Sequence, residues 1–91
     1  MELMWTDRAL FDLKRLYDFL AQVNEPAAAK AVQALSKAPD MLLANPRIGR
    51  QLFQFAPREV RRILVGKYEM RYEIRDGTIV VMQIWHARED R

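Results

Sequence analysis

The sequence predicts an α+β domain in which two helices pack on one face of an antiparallel sheet. Two observations predict this class. Two tight-turn signals divide residues 60–91 into three runs, the last of which is apolar on both faces, and this indicates three consecutive strands joined as hairpins. Residues 7–38 carry apolar side chains at helical spacing with a break near the middle, which indicates an antiparallel helical hairpin. At this length we expect one domain, residues 1–91.

The chain begins with a short predicted strand followed by the first helix. Glu2–Trp5 is the strand, and Thr6 follows it as a good N-cap, with Asp7 at the positive end of the helix. The helix is predicted over 7–22. Its apolar stripe consists of Leu10, Leu13, Leu16, Tyr17 and Leu20.

The second helix is predicted over 26–38, because Pro26 fits a first helical turn and the segment is rich in alanine. Pro39 disfavours a helical conformation at the residue before it. We therefore expect the helix to break or kink there, with a further turn over 40–44. Turn-forming residues then open a connection over 45–57.

Three strands are predicted over 60–65, 68–74 and 78–86. Gly66-Lys67 and Asp76-Gly77 separate them, and Asp-Gly is a strong two-residue hairpin signal. Two-residue loops determine the pairing register. The predicted partners are Val65–Tyr68, Ile63–Met70 and Arg61–Tyr72 across the first hairpin, then Ile74–Ile79, Tyr72–Val81, Met70–Gln83 and Tyr68–Trp85 across the second.

This register divides the side chains between two faces of the sheet, and the apolar face is expected to lie against the helices. On the other face, Arg62 lies directly across from Arg71. Such a pair destabilises the strands unless Glu69 or Glu73 supplies a carboxylate between them. The predicted helix-facing residues are Ile63, Val65, Tyr68, Met70, Tyr72, Ile74, Ile79, Val81 and Trp85.

An apolar stripe is predicted on the second face of the sheet. Val80, Met82 and Ile84 would be exposed there in an isolated monomer, and His86 continues the same face at the strand end. An exposed apolar stripe often marks a contact with a partner protein.

The composition excludes several classes of site. The chain has no cysteine and a single histidine, which rules out a disulfide framework, a thiolate metal site, a cysteine nucleophile and a multi-histidine metal site. There is no N-terminal basic segment followed by an apolar run, and no apolar stretch approaches the length of a membrane span. We therefore expect a cytoplasmic protein with no membrane contact, no metal and no cofactor.

Basic residues are concentrated in the second half of the chain. Residues 46–91 hold ten basic and six acidic side chains, whereas residues 1–45 hold five and six. The arginines of the strand region form either a phosphate-binding surface or a solvated face balanced by neighbouring carboxylates. They are Arg58, Arg61, Arg62, Arg71, Arg75 and Arg88.

His86 is the candidate for acid–base chemistry. It ends the last strand, and Arg88 and two carboxylates follow it in the tail. A histidine in such surroundings can act as a general acid or base in RNA cleavage. The alternative is a strand-end histidine that hydrogen-bonds the backbone or helps to bind a partner.

Four segments, taken together and in this order, are typical of a known superfamily. They are Leu3–Ala9 with Phe11–Leu13, Asn45–Gly49, Val60–Tyr72 and Ile84–Arg88. Over essentially its whole length the chain resembles the RelE/ParE superfamily of bacterial toxin–antitoxin toxins. The resemblance implies a four-stranded sheet with the first strand beside the last. It also implies a separately encoded antitoxin that wraps and neutralises the toxin in a hetero-oligomer. The predicted antitoxin contacts are Leu64, Val80, Met82 and Ile84.

The superfamily divides by target, and the resemblance favours the ParE-like branch. RelE-like members cut mRNA on the ribosome with a set of arginines and lysines, whereas ParE-like members lack that set and poison DNA gyrase. Glu69 stands at the position that matches a RelE catalytic arginine, although Arg88 matches the arginine after the last strand. The resemblance therefore implies a gyrase poison with no catalytic residue. Its predicted target contacts are Arg58, Arg62, Arg71, His86, Arg88 and Arg91.

Two alternatives to gyrase poisoning stay open. A ribosome-dependent mRNA endoribonuclease of the RelE type would use His86 and Arg88 as its catalytic residues. A protein without toxicity would be a scaffold or a decayed toxin.

Overall fold

The computed structural model describes residues 1–87 of the chain. Its elements are β1 (Glu2–Trp5), α1 (Asp7–Ala21), α2 (Glu25–Ala44), β2 (Arg50–Gln51), a 3-10 helix (Phe53–Phe55), β3 (Glu59–Val65), β4 (Tyr68–Arg75) and β5 (Thr78–His86). The sheet order is β1-β5-β4-β3-β2; β1 is parallel to β5 and the other neighbours are antiparallel. The predicted class, helical hairpin, meander and position of the first strand are confirmed. The sheet has five strands rather than four, because the connection after α2 adds the two-residue β2 to β3.

Both helices begin at side-chain caps. The Thr6 hydroxyl accepts a hydrogen bond from the Ala9 N–H (3.0 Å), and the Asn24 side chain accepts one from the Ala27 N–H (3.1 Å). These bonds satisfy main-chain donors that a helix leaves unpaired in its first turn. Within residues 1–87, neither helix is long and apolar enough to cross a membrane.

The second helix runs through Pro39, so the predicted break there is wrong. Proline lacks the N–H that would bond to the Leu35 carbonyl one turn earlier, and this normally weakens a helix. Pro39 is buried, however, and so are Leu35 and Leu42 on the same face of the helix. Burial of this apolar face keeps the helix continuous to Ala44, because packing outweighs the local preference.

The core lies between the two helices and one face of the sheet. Each large apolar side chain buried there contributes about 1.5–3 kcal/mol relative to an exposed one. One buried cluster contains Ala9, Leu16, Leu35, Met70, Val81 and Ile84, and a second contains Leu42, Tyr72 and Ile79.

Both hairpin turns have the backbone that two-residue loops require. Gly66 has φ +60°, and both central residues of the second turn have positive φ, +49° at Asp76 and +74° at Gly77, as in a type I′ turn. The predicted register across the first hairpin is confirmed along its whole length.

The second hairpin departs from the predicted register halfway along β4. The pairing is as predicted up to Tyr72–Val81, but Arg71 then pairs with Gln83 because a bulge adds one residue, Met82, to β5. Each later residue of β5 therefore turns to the face opposite the predicted one.

Because of the bulge, Ile84 and Trp85 lie on the faces of the sheet opposite to those predicted. Ile84 pairs with Met70 and lies in the core at 1% exposure, although it was predicted on the exposed face. Trp85 pairs with Glu69 and lies on the face turned away from the helices, although it was predicted to face them.

Thr6, the N-cap of α1, and Asp12 of α1 bond to the bulged part of β5. β1 ends at Trp5, and beyond it the Thr6 hydroxyl donates to the Met82 carbonyl (2.8 Å). The carboxylate of Asp12, which is 1% exposed, accepts from the Ile84 N–H (3.0 Å). Within residues 1–87, β1 pairs with β5 only as far as Val81. Beyond that point, the hydrogen bonds from Thr6 and Asp12 satisfy main-chain groups of β5 that would be costly to bury unpaired.

Replacing Asp12 with alanine should lower the free energy of unfolding by about 2–3 kcal/mol, because it leaves the buried Ile84 N–H without its charged acceptor. Asp18→Ala is the matched control, since Asp18 is an exposed aspartate of the same helix that pairs with Lys14. It should cost less than about 0.5 kcal/mol. Urea denaturation measures both variants, and equal losses would contradict this role for Asp12.

Candidate partner-binding surfaces

The sheet face turned away from the helices, here called the outer face, carries most of the predicted target-binding arginines. Its members include Val60, Arg62, Glu69, Arg71, Glu73, Val80 and Trp85. The 3-10 helix after β2 covers part of this face, since its residue Phe55 lies against the Arg71 guanidinium.

Glu69 joins the two arginines that face each other across β3 and β4. Its carboxylate lies 3.3 Å from the Arg62 guanidinium and 4.0 Å from that of Arg71, and the residue is 5% exposed. The predicted carboxylate between the arginines is confirmed for Glu69. Arg71 is also held between two aromatic rings, with its guanidinium carbon 5.1 Å from the centre of Phe55 and 4.7 Å from that of Trp85. These contacts neutralise and bury charge that would otherwise be available to phosphate.

Glu73 forms a second ion pair on the outer face. The Arg58 guanidinium donates two hydrogen bonds to its carboxylate, at 2.8 and 3.1 Å. These bonds lower the pKa of Glu73 and outweigh the effect of burial, which alone would raise that pKa. Val60 and Val80 pair with Glu73 from the two neighbouring strands, and both are buried.

A third group of ion pairs ties the segment 45–51 to β3. Arg47 and Arg61 both pair with Glu59 at 2.8–2.9 Å, and the hydrogen bond from Arg47 is the main reason why the pKa of Glu59 is lowered. Arg61 also donates to the Gly49 carbonyl at 2.7 Å. Arg61 therefore has a structural role that the sequence did not reveal.

The Tyr72 side chain hydrogen-bonds to the main chain of the motif Asn45–Gly49. The tyrosine hydroxyl accepts from the Gly49 N–H (3.0 Å) and donates to the Pro46 carbonyl (2.7 Å). Burial is the main reason why the pKa of Tyr72 is raised. A Cβ atom at Gly49 would lie 2.5 Å from this hydroxyl and 2.8 Å from the Arg62 carbonyl, so the position has room for glycine alone.

The predicted antitoxin contacts separate into two groups. Val80 and Ile84 are 2% and 1% exposed, so the prediction of an exposed stripe is wrong for them. Val80 lies between Glu73 of β4 and Met4 of β1, and the bulge turns Ile84 into the core. Met82 is half-buried, and Leu64 is 59% exposed.

His86 lies on the helix side of the sheet and not on the outer face where it was predicted, because the bulge precedes it. Its ring meets Tyr68 edge to face, with 5.6 Å between centres. Burial raises the pKa of Tyr68. The pair lines an apolar groove of about 420 Å³ together with Arg15, Leu16, Phe19 and Leu20 of α1. The remaining predicted site residues, Arg88 and Arg91, lie outside the described residues.

The structure therefore brings together two sets of candidate residues on opposite sides of the sheet. Arg58, Arg62 and Arg71 lie on the outer face with their carboxylates, whereas His86 lies with α1. A groove beside the helical hairpin is also a candidate antitoxin contact from the sequence, but the pattern of α1 does not indicate that Arg15 and Phe19 line it with the end of β5.

Known proteins match the chain in sequence and in fold. It matches the family of the ParE toxin of the type II toxin–antitoxin system, parDE, over residues 3–91. It is 35% identical to Toxin RelE2 of Caulobacter vibrioides over 86 residues, and this alignment covers 94% of each protein. A solved structure from the chromosomal ParDE TA system of P. aeruginosa superposes with a TM-score of 0.79 at 25% identity, covering 94% of this chain and 95% of that one. The isolated E. coli RelE toxin shares the fold, with a TM-score of 0.62 at 18% identity over 99% and 87% of the two chains.

These matches confirm the resemblance to the RelE/ParE superfamily of type II toxin–antitoxin toxins. Within that class, the chain belongs to the ParE toxin family.

Gly49→Ala should lower the free energy of unfolding by about 1–3 kcal/mol, because the added methyl group meets the Tyr72 hydroxyl and the Arg62 carbonyl. Ile48→Ala serves as the control, since Ile48 is 55% exposed and its truncation should cost little. Thermal unfolding compares the two, and a Gly49→Ala protein as stable as wild type would contradict the close approach.

Glu73→Gln should produce a pH-dependent loss of stability. The folded-state pKa of Glu73 is lowered, so its stabilising effect is complete above the ordinary value of 4.5 and is lost as the pH falls through the folded-state pKa. Denaturation at a series of pH values should show a difference between wild type and variant that shrinks in this acid range. The difference should also disappear in an Arg58→Gln background, whereas a difference independent of pH would contradict the ion pair.

Proposed function

We propose that this toxin is a non-enzymatic protein that binds and poisons DNA gyrase in the cytoplasm, and that a cognate antitoxin neutralises it by forming a complex. The observation that carries the proposal is the internal neutralisation of the outer face. Glu69 pairs with Arg62 and lies near Arg71, and Glu73 pairs with Arg58.

Electrostatics supports a protein target over an RNA substrate. A surface that binds an RNA backbone needs cations free to replace the counterions of phosphates. On the outer face Arg58 and Arg62 pair with carboxylates, and Arg71, which lies near Glu69, is only 15% exposed. Glu69 also occupies the position where the family resemblance implies a catalytic arginine in RelE-like members. An incoming phosphate would therefore meet a buried negative charge.

The target contacts proposed for this chain differ in accessibility and lie on both sides of the sheet. Arg58 is half exposed although it pairs with Glu73, and His86 is accessible at the groove beside α1. Arg62 and Arg71 contribute to target binding indirectly: with Glu69 they determine the shape of the outer face and keep its charge balanced. Arg88 and Arg91 supply positive charge beyond the last strand.

The ribosome-dependent endoribonuclease is the second candidate, and one observation favours it. His86 lies at an apolar groove with Tyr68 and Arg15, so a histidine, a phenol and a cation line one pocket. In this reading His86 and Arg88 carry out the cleavage. A relative carries the name Toxin RelE2, which agrees with either target.

The test uses the purified toxin with gyrase, ATP and plasmid DNA, beside a translation reaction programmed with a defined mRNA. The proposal predicts gyrase-dependent DNA cleavage complexes and intact mRNA, and addition of the purified antitoxin should abolish the effect. The control variant Asp18→Ala changes an exposed side chain and should keep full activity. Cleavage of mRNA on the ribosome that His86→Ala or Arg88→Ala removes would overturn the proposal in favour of the nuclease. Absence of both effects in an intact, folded toxin would overturn both.

A further inference from the structure

An apolar groove lies between α1 and the end of the sheet at which β4 begins and β5 ends. Its volume is about 420 Å³, within the range of about 300–1,000 Å³ in which protein pockets hold ligands of drug size. Leu16, Phe19 and Leu20 of α1 line one side, and Tyr68 and His86 line the other. The groove therefore has room for one large side chain of a partner molecule.

Aromatic rings line both sides of this groove. Phe19 is 70% exposed, so most of its ring is accessible to a partner. On the opposite side, the rings of Tyr68 and His86 meet edge to face with 5.6 Å between their centres. Aromatic residues at concave apolar sites are typical of those that carry most of the binding energy in protein interfaces. A large apolar side chain inserted here would contact rings on both sides.

Arg15 places a positive charge beside the apolar surface. Its side chain is 50% exposed, and its guanidinium lies 4.0 Å from an Asp12 carboxylate oxygen. That oxygen already accepts a hydrogen bond from Arg8 at 3.0 Å, and the other oxygen accepts one from the Ile84 N–H. Among the described residues, those that line the groove include no carboxylate. The groove therefore favours an occupant that carries a negative charge next to its apolar part.

This combination fits a protein segment better than a nucleic acid. A nucleic-acid backbone carries a charge at every nucleotide and binds to surfaces that offer several cations. The groove instead offers the charge of Arg15 within a mainly apolar lining. A second copy of this chain, related by a twofold axis, would bring two Arg15 side chains towards each other. A large apolar residue of a protein, next to an aspartate or glutamate, matches both the lining and the charge.

The groove also coincides with target contacts that are proposed above. His86 is one of them and lines the groove, and Arg88 and Arg91 follow it in the sequence. A target segment in the groove would therefore contact the end of β5, where this group of proposed contacts begins.

We propose that the groove between α1 and the end of β5 binds a segment of DNA gyrase that inserts a large apolar side chain between Phe19 and the Tyr68–His86 pair, and places a neighbouring carboxylate on Arg15. The aromatic rings bury the inserted side chain, and Arg15 sets the orientation of the segment because its charge lies on the α1 side. The inference rests on the proposed poisoning of gyrase and names the chemistry of the segment that is recognised.

The experiment uses two pairs of matched variants of the full-length toxin. Phe19→Gln removes the aromatic ring from the groove. Its control is Phe11→Gln, because Phe11 is 62% exposed on the same helix and is not among the residues that line the groove. Arg15→Gln removes the positive charge, and Lys14→Gln is its control, because the Lys14 side chain is 76% exposed on the same helix. Urea denaturation verifies that each variant is folded.

Three measurements are made on each protein. Gyrase-dependent DNA cleavage complexes, formed over a range of toxin concentrations, give the potency of the toxin. Hydroxyl-radical footprinting compares the accessibility of Phe19 and Phe11 in the free and gyrase-bound wild type. Calorimetry measures the affinity for the purified antitoxin.

Phe19→Gln should raise the toxin concentration for half-maximal cleavage by about tenfold or more, and Arg15→Gln by about threefold or more. Both controls should change it by less than about twofold. Gyrase should protect Phe19 and leave Phe11 accessible.

A folded Phe19→Gln protein as potent as wild type, or equal losses in Phe19→Gln and Phe11→Gln, would overturn the inference while leaving gyrase poisoning intact. A loss confined to antitoxin affinity would assign the groove to the antitoxin and overturn it as well. Failure of the wild type to form gyrase cleavage complexes would remove the proposed function and this inference together.

Discussion

The hydrogen bonds from α1 to the bulged part of β5 determine how the two faces of the sheet are composed. Thr6 and Asp12 bond to main-chain groups of Met82 and Ile84, and between them β5 gains one residue relative to β4. Without that extra residue, Ile84 would leave the core and Trp85 would leave the outer face. The same bonds join the N-terminal segment to the last strand, so the beginning and end of the described chain form one structural unit.

The outer face that results is rich in arginine but balanced in charge. Trp85 packs on Arg71, because the bulge places Trp85 on this face. Glu69 lies between Arg71 and Arg62. Buried ion pairs contribute little net stability, since desolvation offsets much of the attraction, but breaking one leaves an uncompensated charge. The pairs therefore define a specific surface more than they stabilise the fold. Positive charge stays accessible at Arg58 and Arg75, and also at Arg50 and Lys67.

Much of the fold could be predicted from the sequence because its signals are local. Helical spacing, the Thr6 cap and the Asp-Gly turn each depend on a few neighbouring residues, and the structure confirms them. The continuous helix at Pro39 and the bulge at Met82 depend on tertiary contacts, which no spacing pattern encodes. The counter-ion role of Glu69 was predictable, since the register of the first hairpin places it beside both arginines. The burial of Ile84 was not, because it depends on the bulge, and neither was the burial of Val80, which depends on how neighbouring strands pack.

The central claim is that the carboxylates of the outer face keep its arginines from phosphate. Equilibrium binding of the purified toxin to a single-stranded RNA of about 20 nucleotides, measured over a range of salt concentrations, tests it directly against a Glu69→Gln variant. Wild-type binding should be weak, with a shallow salt dependence. Binding by the variant, whose Arg62 and Arg71 are released, should be tighter and more salt-sensitive. Tight, strongly salt-dependent binding by the wild type that Glu69→Gln leaves unchanged would contradict the claim.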